Sequence, residues 1–345
     1  MPYVTKIGVQ QFRNHTKKVI TIDPKATIIT GKNGTGKTSL IEALYIALQG
    51  SSFRGSDIDI IQKNQSWYRI DIEMSDGTVR TVKFDSLKSA GRKQFSIDNK
   101  ISYRLAPTSK YPVVLFEPED LRLISGSPVR RRHFIDHFIS QINPLYSQSL
   151  RKYDRALKQR NNLLKRLHTT SDELFVWNIT LSEYGAYIMT ERISFIEKIN
   201  QTLSTIYQSI SETEDSVTVH YSHTLVDNIQ QKLMADLTKH KDKDTLLGYT
   251  TTGPHRDDIL IVYNNSPAHS TASRGENRSI ILALKQIEAD IIFELTDKRP
   301  ILLLDDVFSE LDSDRQQKLI QLSSQTIVTT TDTTHQGGLV IKLRI

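Results

Sequence analysis

Apolar residues along this chain follow two spacings, one typical of strands and one typical of helices. Residues 3–10 and Val19–Ile22 alternate as a strand and its hairpin partner would, and Ala26–Thr30 is a short β-rich run. A helix is predicted from Lys37 to Gln49, because apolar side chains recur there at helical spacing. Further strands are predicted at Tyr68–Met74, Thr78–Phe84, Gln94–Ile97 and Val113–Phe116.

The rest of the chain begins with a long helical pattern and then returns to strands. Residues 128–211 have helical spacing, and Pro144 is a typical first residue of a helix. Later strands are predicted at Ser216–Tyr221, Ile259–Tyr263, Ile301–Leu304 and Thr326–Thr330, with helices at Glu276–Leu295 and Asp312–Ser323. Loose loops are predicted at Lys239–Asp244 and Asn264–Thr271. The pattern indicates an α/β nucleotide-binding body whose two halves are separated by a mostly helical insertion.

Composition narrows the class of protein and suggests an anionic partner. The 345 residues include no cysteine, which excludes disulfides and thiol catalysis. No apolar run is long enough to cross a membrane and the N-terminus lacks a signal-peptide pattern, so we expect a cytoplasmic protein without a membrane partner. The segment from Leu121 to Leu167 contains eleven Lys or Arg and two Asp, whereas the net charge of the whole chain is +6. This basic segment is typical of polyanion binding, although a solvated helix face has the same pattern.

A glycine-rich segment between the strand Ala26–Thr30 and the helix Lys37–Gln49 fits the P-loop pattern G-x-x-x-x-G-K-[ST] at every fixed position. Its glycines let backbone N–H groups point at phosphate oxygens, and the helix N-terminus adds positive potential. We expect Lys37 to reach the β- and γ-phosphates and act in catalysis, and Thr38 to bind Mg²⁺. The residues predicted to bind ATP are Gly31, Lys32, Asn33, Gly34, Thr35, Gly36, Lys37, Thr38 and Ser39.

Two carboxylates follow the apolar run Ile301–Leu304. A buried strand of this kind can deliver Asp305 to the Mg²⁺ shell of a P-loop enzyme. Asp306 then stands where a general base could orient the attacking water. Adjacent aspartates could also cap the next turn, but their combination with a P-loop favours the catalytic interpretation.

A second phosphate-binding helix start is predicted at Ser273–Arg278, just before the acidic strand. In ABC-type ATPases, a Ser-x-Gly-[Gln/Glu] turn at a helix N-terminus binds the γ-phosphate held by the opposite subunit. Ser273 and Gly275 therefore predict a head-to-tail homodimer with ATP between the subunits. An ordinary N-cap with a polar first turn would look the same. Ser309–Asp312 follows the acidic strand directly.

Taken together, these motifs resemble the RecF family of bacterial recombination mediators over most of the chain. The matching segments are Phe12–His15, Phe116–Leu121, Arg131–Asp136, Tyr153, Gln159–Asn161, Leu163–Lys165 and Thr252–Asp258. The resemblance implies an α/β ABC-type ATPase head, with a mixed sheet and an antiparallel β-subdomain, plus a helical arm lobe. The predicted segments are 1–125 for the first part of the head, 126–214 for the arm, and 215–345 for the part completing the head.

The resemblance also implies a function. It implies an ATP-dependent homodimer with weak DNA-stimulated ATPase activity that binds double-stranded DNA and gapped single-/double-strand junctions. It implies cooperation with RecO and RecR in loading recombinase during gap repair, replication and the SOS response, at the nucleoid. On the arm, the candidate DNA contacts are Arg131, Arg132, Arg151 and Lys158.

Two departures from the wider ABC pattern predict a slow switch. Asp306 is one methylene shorter than the glutamate of fast ABC ATPases, and Thr331 stands where transporters place a histidine that senses γ-phosphate. We therefore expect slow turnover. Two alternatives share parts of the pattern: a transporter-type ATPase subunit, and a DNA-binding scaffold whose ATPase is vestigial.

Overall fold

The computed structural model describes residues 2–88, 91–166, 170–223, 227–307, 316, 325–331 and 339–343. They fall into two compact units, one formed by residues 1–120 with 288–345 and the other by residues 121–287. Residues 215–287 thus belong to the same unit as the helices that follow residue 121. The functional division into head and arm segments stays a prediction. No helix in the described ranges is long and apolar enough to span a membrane.

A five-stranded parallel sheet with the order β14-β3-β13-β12-β8 lies at the centre of the first unit. Its strands are β3 (Ala26–Thr30), β8 (Val113–Phe116), β12 (Ile301–Asp305), β13 (Gln325–Thr330) and β14 (Leu339–Lys342). Every residue of β3, β8, β12 and β13 is buried, as expected for a parallel sheet covered on both faces. The continuous apolar runs Ile301–Leu304 and Val113–Phe116 are therefore buried strands of this sheet, the first central and the second at its edge.

The second sheet of this unit is antiparallel, with the order β2-β1-β4-β5-β6-β7. Its strands are β1 (Val4–Phe12), β2 (His15–Thr21), β4 (Trp67–Met74), β5 (Val79–Asp85), β6 (Gln94–Ile97) and β7 (Lys100–Ser102). Helix α1 (Lys37–Gln49) shares one apolar core with both sheets, and α2 (Asp57–Ile60) is a single turn. The predicted α/β fold with an antiparallel β-subdomain is confirmed, and in the described strands the parallel and antiparallel pairings predicted for one mixed sheet belong to two separate sheets.

The second unit is mostly helical, as the spacing of residues 128–211 predicts. Its helices are α3 (Arg122–Ser125), α4 (Pro128–Ile142), α5 (Pro144–Leu164), α6 (Ser171–Asn200), α7 (Leu203–Ser211), α8 (Ile229–Lys239), α9 (Lys241–Leu247), α10 (Ala268–Thr271) and the first part of α11 (Arg274–Thr296). A small sheet contains β9 (Val217–Tyr221), β10 (Ile259–Tyr263) and β11 (Ser266–Pro267). Pro144 is the first residue of α5, which confirms that prediction.

Both predicted loose loops are wrong. Lys239–Asp244 covers the end of α8 and most of α9, and Asn264–Thr271 holds a turn, β11 and α10. The first prediction failed because Asp244 is buried against Arg160 of α5, a partner that is distant in sequence. The predicted helix at Asp312–Ser323 lies outside the described residues.

Arg160 is fully buried and joins three parts of the second unit. Its Nη1 donates to Asp244 Oδ2 at 2.7 Å and to Thr250 Oγ1 at 2.8 Å. Its Nε donates to Asn178 Oδ1 of α6 at 2.8 Å. A buried guanidinium needs this full set of acceptors, because each unmet N–H costs free energy.

Replacing Arg160 by alanine is expected to lower the free energy of unfolding by about 3–5 kcal/mol, because Asp244 stays buried without its cationic partner. Urea unfolding followed by circular dichroism measures the change. Arg155→Ala removes an exposed arginine from the same helix and should change stability by about 0.5 kcal/mol or less. Equal losses in the two variants would contradict the structural role of Arg160.

Candidate nucleotide site

The P-loop lies between β3 and α1, where the sequence predicts it. Gly34 and Gly36 have φ angles of 84° and 88°, a left-handed conformation that favours glycine, and Gly36 is the N-cap of α1. Lys37 is buried, and its Nζ donates to the carbonyl of Gly31 at 2.9 Å and of Lys32 at 3.3 Å. The lysine therefore donates to carbonyls of its own loop. Phosphate oxygens of a bound nucleotide would compete with these carbonyls as acceptors.

The turn between β1 and β2 holds the P-loop from the side. Asn14 Nδ2 donates to the carbonyl of Gly34 at 3.0 Å, and His15 Nε2 lies 3.0 Å from the carbonyl of Gly36. Because a carbonyl only accepts, the Nε2–H of His15 is the donor. Burial lowers the pKa of His15, so the ring is neutral near pH 7. The sequence showed these residues only as part of a family motif, and no local pattern indicated their contact with the P-loop.

Thr38 and Asp305 meet as the sequence predicts. Asp305 ends β12 and accepts from Thr329 Oγ1 of β13 at 2.7 Å and from the Thr38 hydroxyl. Burial raises the pKa of Asp305, while the hydrogen bonds from Thr329 and Thr38 and the charge of Arg54 act in the opposite direction. Carboxylate and hydroxyl oxygens are the hard ligands that Mg²⁺ prefers, so this pair fits the metal.

No group of three or more His, Asp or Glu side chains in the described residues could hold a metal ion unaided. Mg²⁺ at Thr38 and Asp305 would therefore share its shell with substrate phosphate and water, which is its usual mode in phosphoryl-transfer enzymes.

Asp306 follows β12 and has a left-handed backbone conformation, with φ 54°. Its backbone N–H donates to the carbonyl of Thr329 at 3.1 Å and to the Thr329 hydroxyl at 3.0 Å. Thr329 therefore fixes both aspartates at the carboxyl edge of the parallel sheet. Thr331 follows β13, whereas Ser309–Asp312 lies outside the described residues.

A buried glutamate on α1 was not predicted from the sequence. Glu42 is fully buried and accepts two hydrogen bonds from Arg13, at 2.9 and 2.8 Å. Arg54 Nη2 donates to it at 3.1 Å and Ser52 Oγ at 2.6 Å. Burial opposes the charge of Glu42, but its hydrogen bonds with Arg13 and Ser52 and the charge of Arg54 lower its pKa. The cluster ties the helix behind the P-loop to two flanking segments.

The predicted signature residues lie at the start of α11, in the second unit. The N–H of Ser273 donates to the Glu276 carboxylate, and the N–H of Glu276 donates to Ser273 Oγ at 3.3 Å. This reciprocal pair is a capping box, and Tyr263 Oη also donates to Glu276 at 2.9 Å. Gly275 is exposed, and a Cβ built on it would meet nothing within 4 Å. The chain's own packing thus does not require glycine at this position.

The four predicted DNA contacts divide into two pairs. Arg131 donates twice to Asp258, at 2.9 and 2.8 Å, and Arg132 Nη1 donates to the carbonyl of Asp257. Both guanidinium groups therefore form hydrogen bonds within the second unit. Arg151 and Lys158 are exposed on α5. The segment charge counted from sequence thus overstates the positive surface.

The segment Thr252–Asp258 is partly buried in the second unit, with Arg256 exposed. Tyr153 Oη donates to His255 Nδ1 at 2.7 Å, and His255 Nε2 lies 3.1 Å from the carbonyl of Thr250. Burial lowers the pKa of His255 to about 4, which keeps the imidazole neutral. At Gly253, with φ 121°, a Cβ would lie 2.5 Å from Tyr153 Oη. In this unit the motif therefore has a structural role that its sequence did not reveal.

Gly36→Ala is expected to abolish ATP binding and to destabilise the protein, because the new Cβ would lie 2.4 Å from His15 Nε2. Gly34→Ala is the matched control, since its φ is also positive but its Cβ meets nothing within 4 Å. The control should lose about 1 kcal/mol of stability from the backbone conformation alone. Thermal unfolding should show a loss for Gly36→Ala at least twice that of the control, partly recovered by His15→Ala in the same chain. Equal losses without recovery would contradict the contact.

Comparisons with known proteins agree with this architecture. The family model described as RecF/RecN/SMC N terminal domain matches residues 3–338. A DNA replication and repair protein RecF from Streptococcus suis is 35% identical over 365 residues, covering 99% of this chain and 96% of the relative. One from Halothermothrix orenii is 33% identical over 347 residues, covering 96% and 92%.

Solved structures are also similar to this chain. A structure of the recombination mediator protein RecF with ATPrS in the RecFOR pathway has a TM-score of 0.89 and 30% identity, covering 99% of this chain and 96% of that one. An Smc head domain from Pyrococcus furiosus, at 18% identity and a TM-score of 0.52 over 96% and 90% of the chains, shares the fold. The predicted ABC-type head is confirmed, and the chain belongs to the RecF family of DNA replication and repair proteins, within the RecF/RecN/SMC group of ATPases.

Proposed function

We propose that this protein is an ATP-dependent, DNA-binding recombination mediator that acts in gap repair as a dimer closed by ATP. The observation that carries the proposal is Gly275, an exposed glycine at a helix start with open space beside it. A helix N-terminus without side-chain bulk suits close approach of an anionic group. The P-loop binds the other side of the same triphosphate, so each site takes one half from each subunit.

In this mechanism the first unit binds the nucleotide. The backbone N–H groups of the P-loop and the Lys37 ammonium hold the phosphates of ATP. Thr38 and Asp305 hold Mg²⁺, which neutralises phosphate charge when bound. Asp306 orients the water that attacks the γ-phosphorus, and ADP leaves with phosphate as the other product. The short side chain of Asp306 makes hydrolysis slow, so the dimer persists. Binding to DNA stimulates the step.

The second unit contributes DNA binding through Arg151 and Lys158 of α5, both exposed. Such contacts with phosphates are independent of sequence and suit double-stranded DNA and gapped junctions. Arg131 and Arg132 have a smaller share, because Asp258 and the Asp257 carbonyl already accept from them. Relatives named for replication and repair, and a solved RecF of the RecFOR pathway, support cooperation with RecO and RecR. Binding to DNA would place the protein at the nucleoid.

Sedimentation velocity with Mg²⁺ and a non-hydrolysable ATP analogue tests the ATP-closed dimer. The wild type should change from monomer to dimer when the analogue is added. Gly275→Leu should still bind the analogue through its own P-loop but remain a monomer, because the larger side chain occupies the open space beside the helix start. Lys37→Ala should neither bind nor dimerise. A wild type that stays monomeric when saturated, or a Gly275→Leu variant that dimerises normally, would disprove the shared site.

DNA affinity measured against salt concentration tests the α5 contacts. With the analogue present, Arg151→Gln/Lys158→Gln should lower affinity and reduce the slope of log K against log salt by about 2, because about one counterion is released per phosphate contact. Lys232→Gln/Lys239→Gln removes the same charge from exposed positions of α8 and is the matched control. A flat wild-type slope, or equal effects of the two double variants, would exclude these contacts.

Asp306→Asn separates this function from that of a scaffold with a vestigial ATPase. In the proposed function the variant holds ATP longer and its DNA complex dissociates more slowly. In a scaffold, every DNA-dependent property would be unchanged.

A further inference from the structure

Three large apolar side chains are exposed at the end of α9 and just after it. Leu246 is 87% exposed, Leu247 43% and Tyr249 40%. A single exposed leucine is ordinary, but three such residues within four positions form an apolar patch that needs an explanation. Leu246, Leu247 and Tyr249, together with Arg256, are called the α9 patch.

Arg256 adds a fixed positive charge to the α9 patch. Its Cζ lies 4.8 Å from the centroid of the Tyr249 ring, and the residue is exposed. Its Nε and Nη2 donate to the carbonyl of Thr250 at 3.2 and 3.1 Å. A guanidinium has five N–H groups, so it can still bind a carboxylate while it is held over the ring.

The backbone beneath the α9 patch is held rigidly. Thr250 is fully buried, and its N–H and hydroxyl both donate to Asn161 Oδ1 at 2.8 Å. Arg160 Nη1 donates to Thr250 Oγ1 at 2.8 Å. Gly248 ends α9 in the left-handed conformation, with φ 72°. A ligand would therefore meet an ordered surface and lose little affinity to the ordering of this segment.

The charges around the α9 patch are mainly positive. Lys243 is exposed on α9, and the Lys165 side chain lies near Gly248, 3.5 Å from the position of a Cβ there. These two lysines and Arg256 are exposed, and the exposed carboxylate on α9 is that of Asp242. A complementary partner must therefore combine apolar side chains with carboxylates.

We propose that the α9 patch is a docking site for a protein segment that presents carboxylates beside apolar side chains. Tyr and Arg at the centre of a patch, with a polar rim, are typical of binding hot spots. DNA would use Arg256 and the Tyr249 ring, but its phosphates and sugars leave two exposed leucines without apolar contacts. A protein segment uses all four residues. The proposal goes beyond the proposed ATP and DNA roles, which use none of these residues.

Selection from a display library of short random peptides on the full-length protein tests the docking site, with depletion on Leu246→Ser/Tyr249→Ala. Enriched peptides should carry Asp or Glu beside Leu, Ile or Phe. Synthesised and labelled, they should bind the double variant about tenfold more weakly than the wild type in fluorescence anisotropy. Leu145→Ser, which removes a leucine that is 56% exposed in the same unit, is the matched control and should bind normally.

Dimerisation by the ATP analogue should be the same in the double variant and the wild type, which separates this proposal from the shared ATP site. Peptides that lack carboxylates, or that bind the double variant as tightly as the wild type, would overturn it. A tenfold loss of affinity for short single-stranded DNA in the double variant would also overturn it, since the α9 patch would then be a nucleic-acid contact.

Discussion

The carboxyl edge of the parallel sheet in the first unit holds a carboxylate at a position where burial opposes its charge. Asp305 ends a strand whose residues are all buried, and burial raises its pKa. Hydroxyls of Thr329 and Thr38, and the charge of Arg54, compensate in part. The end of β12, the end of β13 and the start of α1 converge on this one carboxylate. The P-loop and the acidic strand are thus positioned by a shared electrostatic requirement.

Other buried charges follow the same rule, with hydrogen bonds saturating each ion where water is excluded. Examples in both units are Glu42 with Arg13, Arg160 with Asp244, and Arg192 with Asp136. The consequence for surface charge is direct. Arginines that composition counts as part of a basic face, such as Arg131 and Arg160, neutralise carboxylates of their own unit. The positive surface available to a polyanion is therefore smaller and more localised than the count of Lys and Arg residues indicates.

Sequence reasoning succeeded where a few adjacent residues determine the structure. The P-loop, the buried strand before Asp305 and the limits of α1 all follow from local spacing, and the structure agrees. It failed where a residue far away in sequence determines the local structure. The turn of helix around Asp244 depends on Arg160, 84 positions away, and the pairing of Arg131 depends on Asp258, 127 positions away. The roles proposed for Ser273 and Gly275 involve a second molecule, so they stay a prediction.

The contact between the first hairpin and the P-loop has a mechanical consequence. Asn14 and His15 are consecutive residues at one tight turn, and each bonds a different carbonyl of the loop. Gly36 leaves no space between its backbone and the imidazole. The loop therefore cannot change its curvature unless the hairpin moves with it. A displacement of the β1–β2 hairpin would therefore be transmitted directly to the P-loop through these two hydrogen bonds.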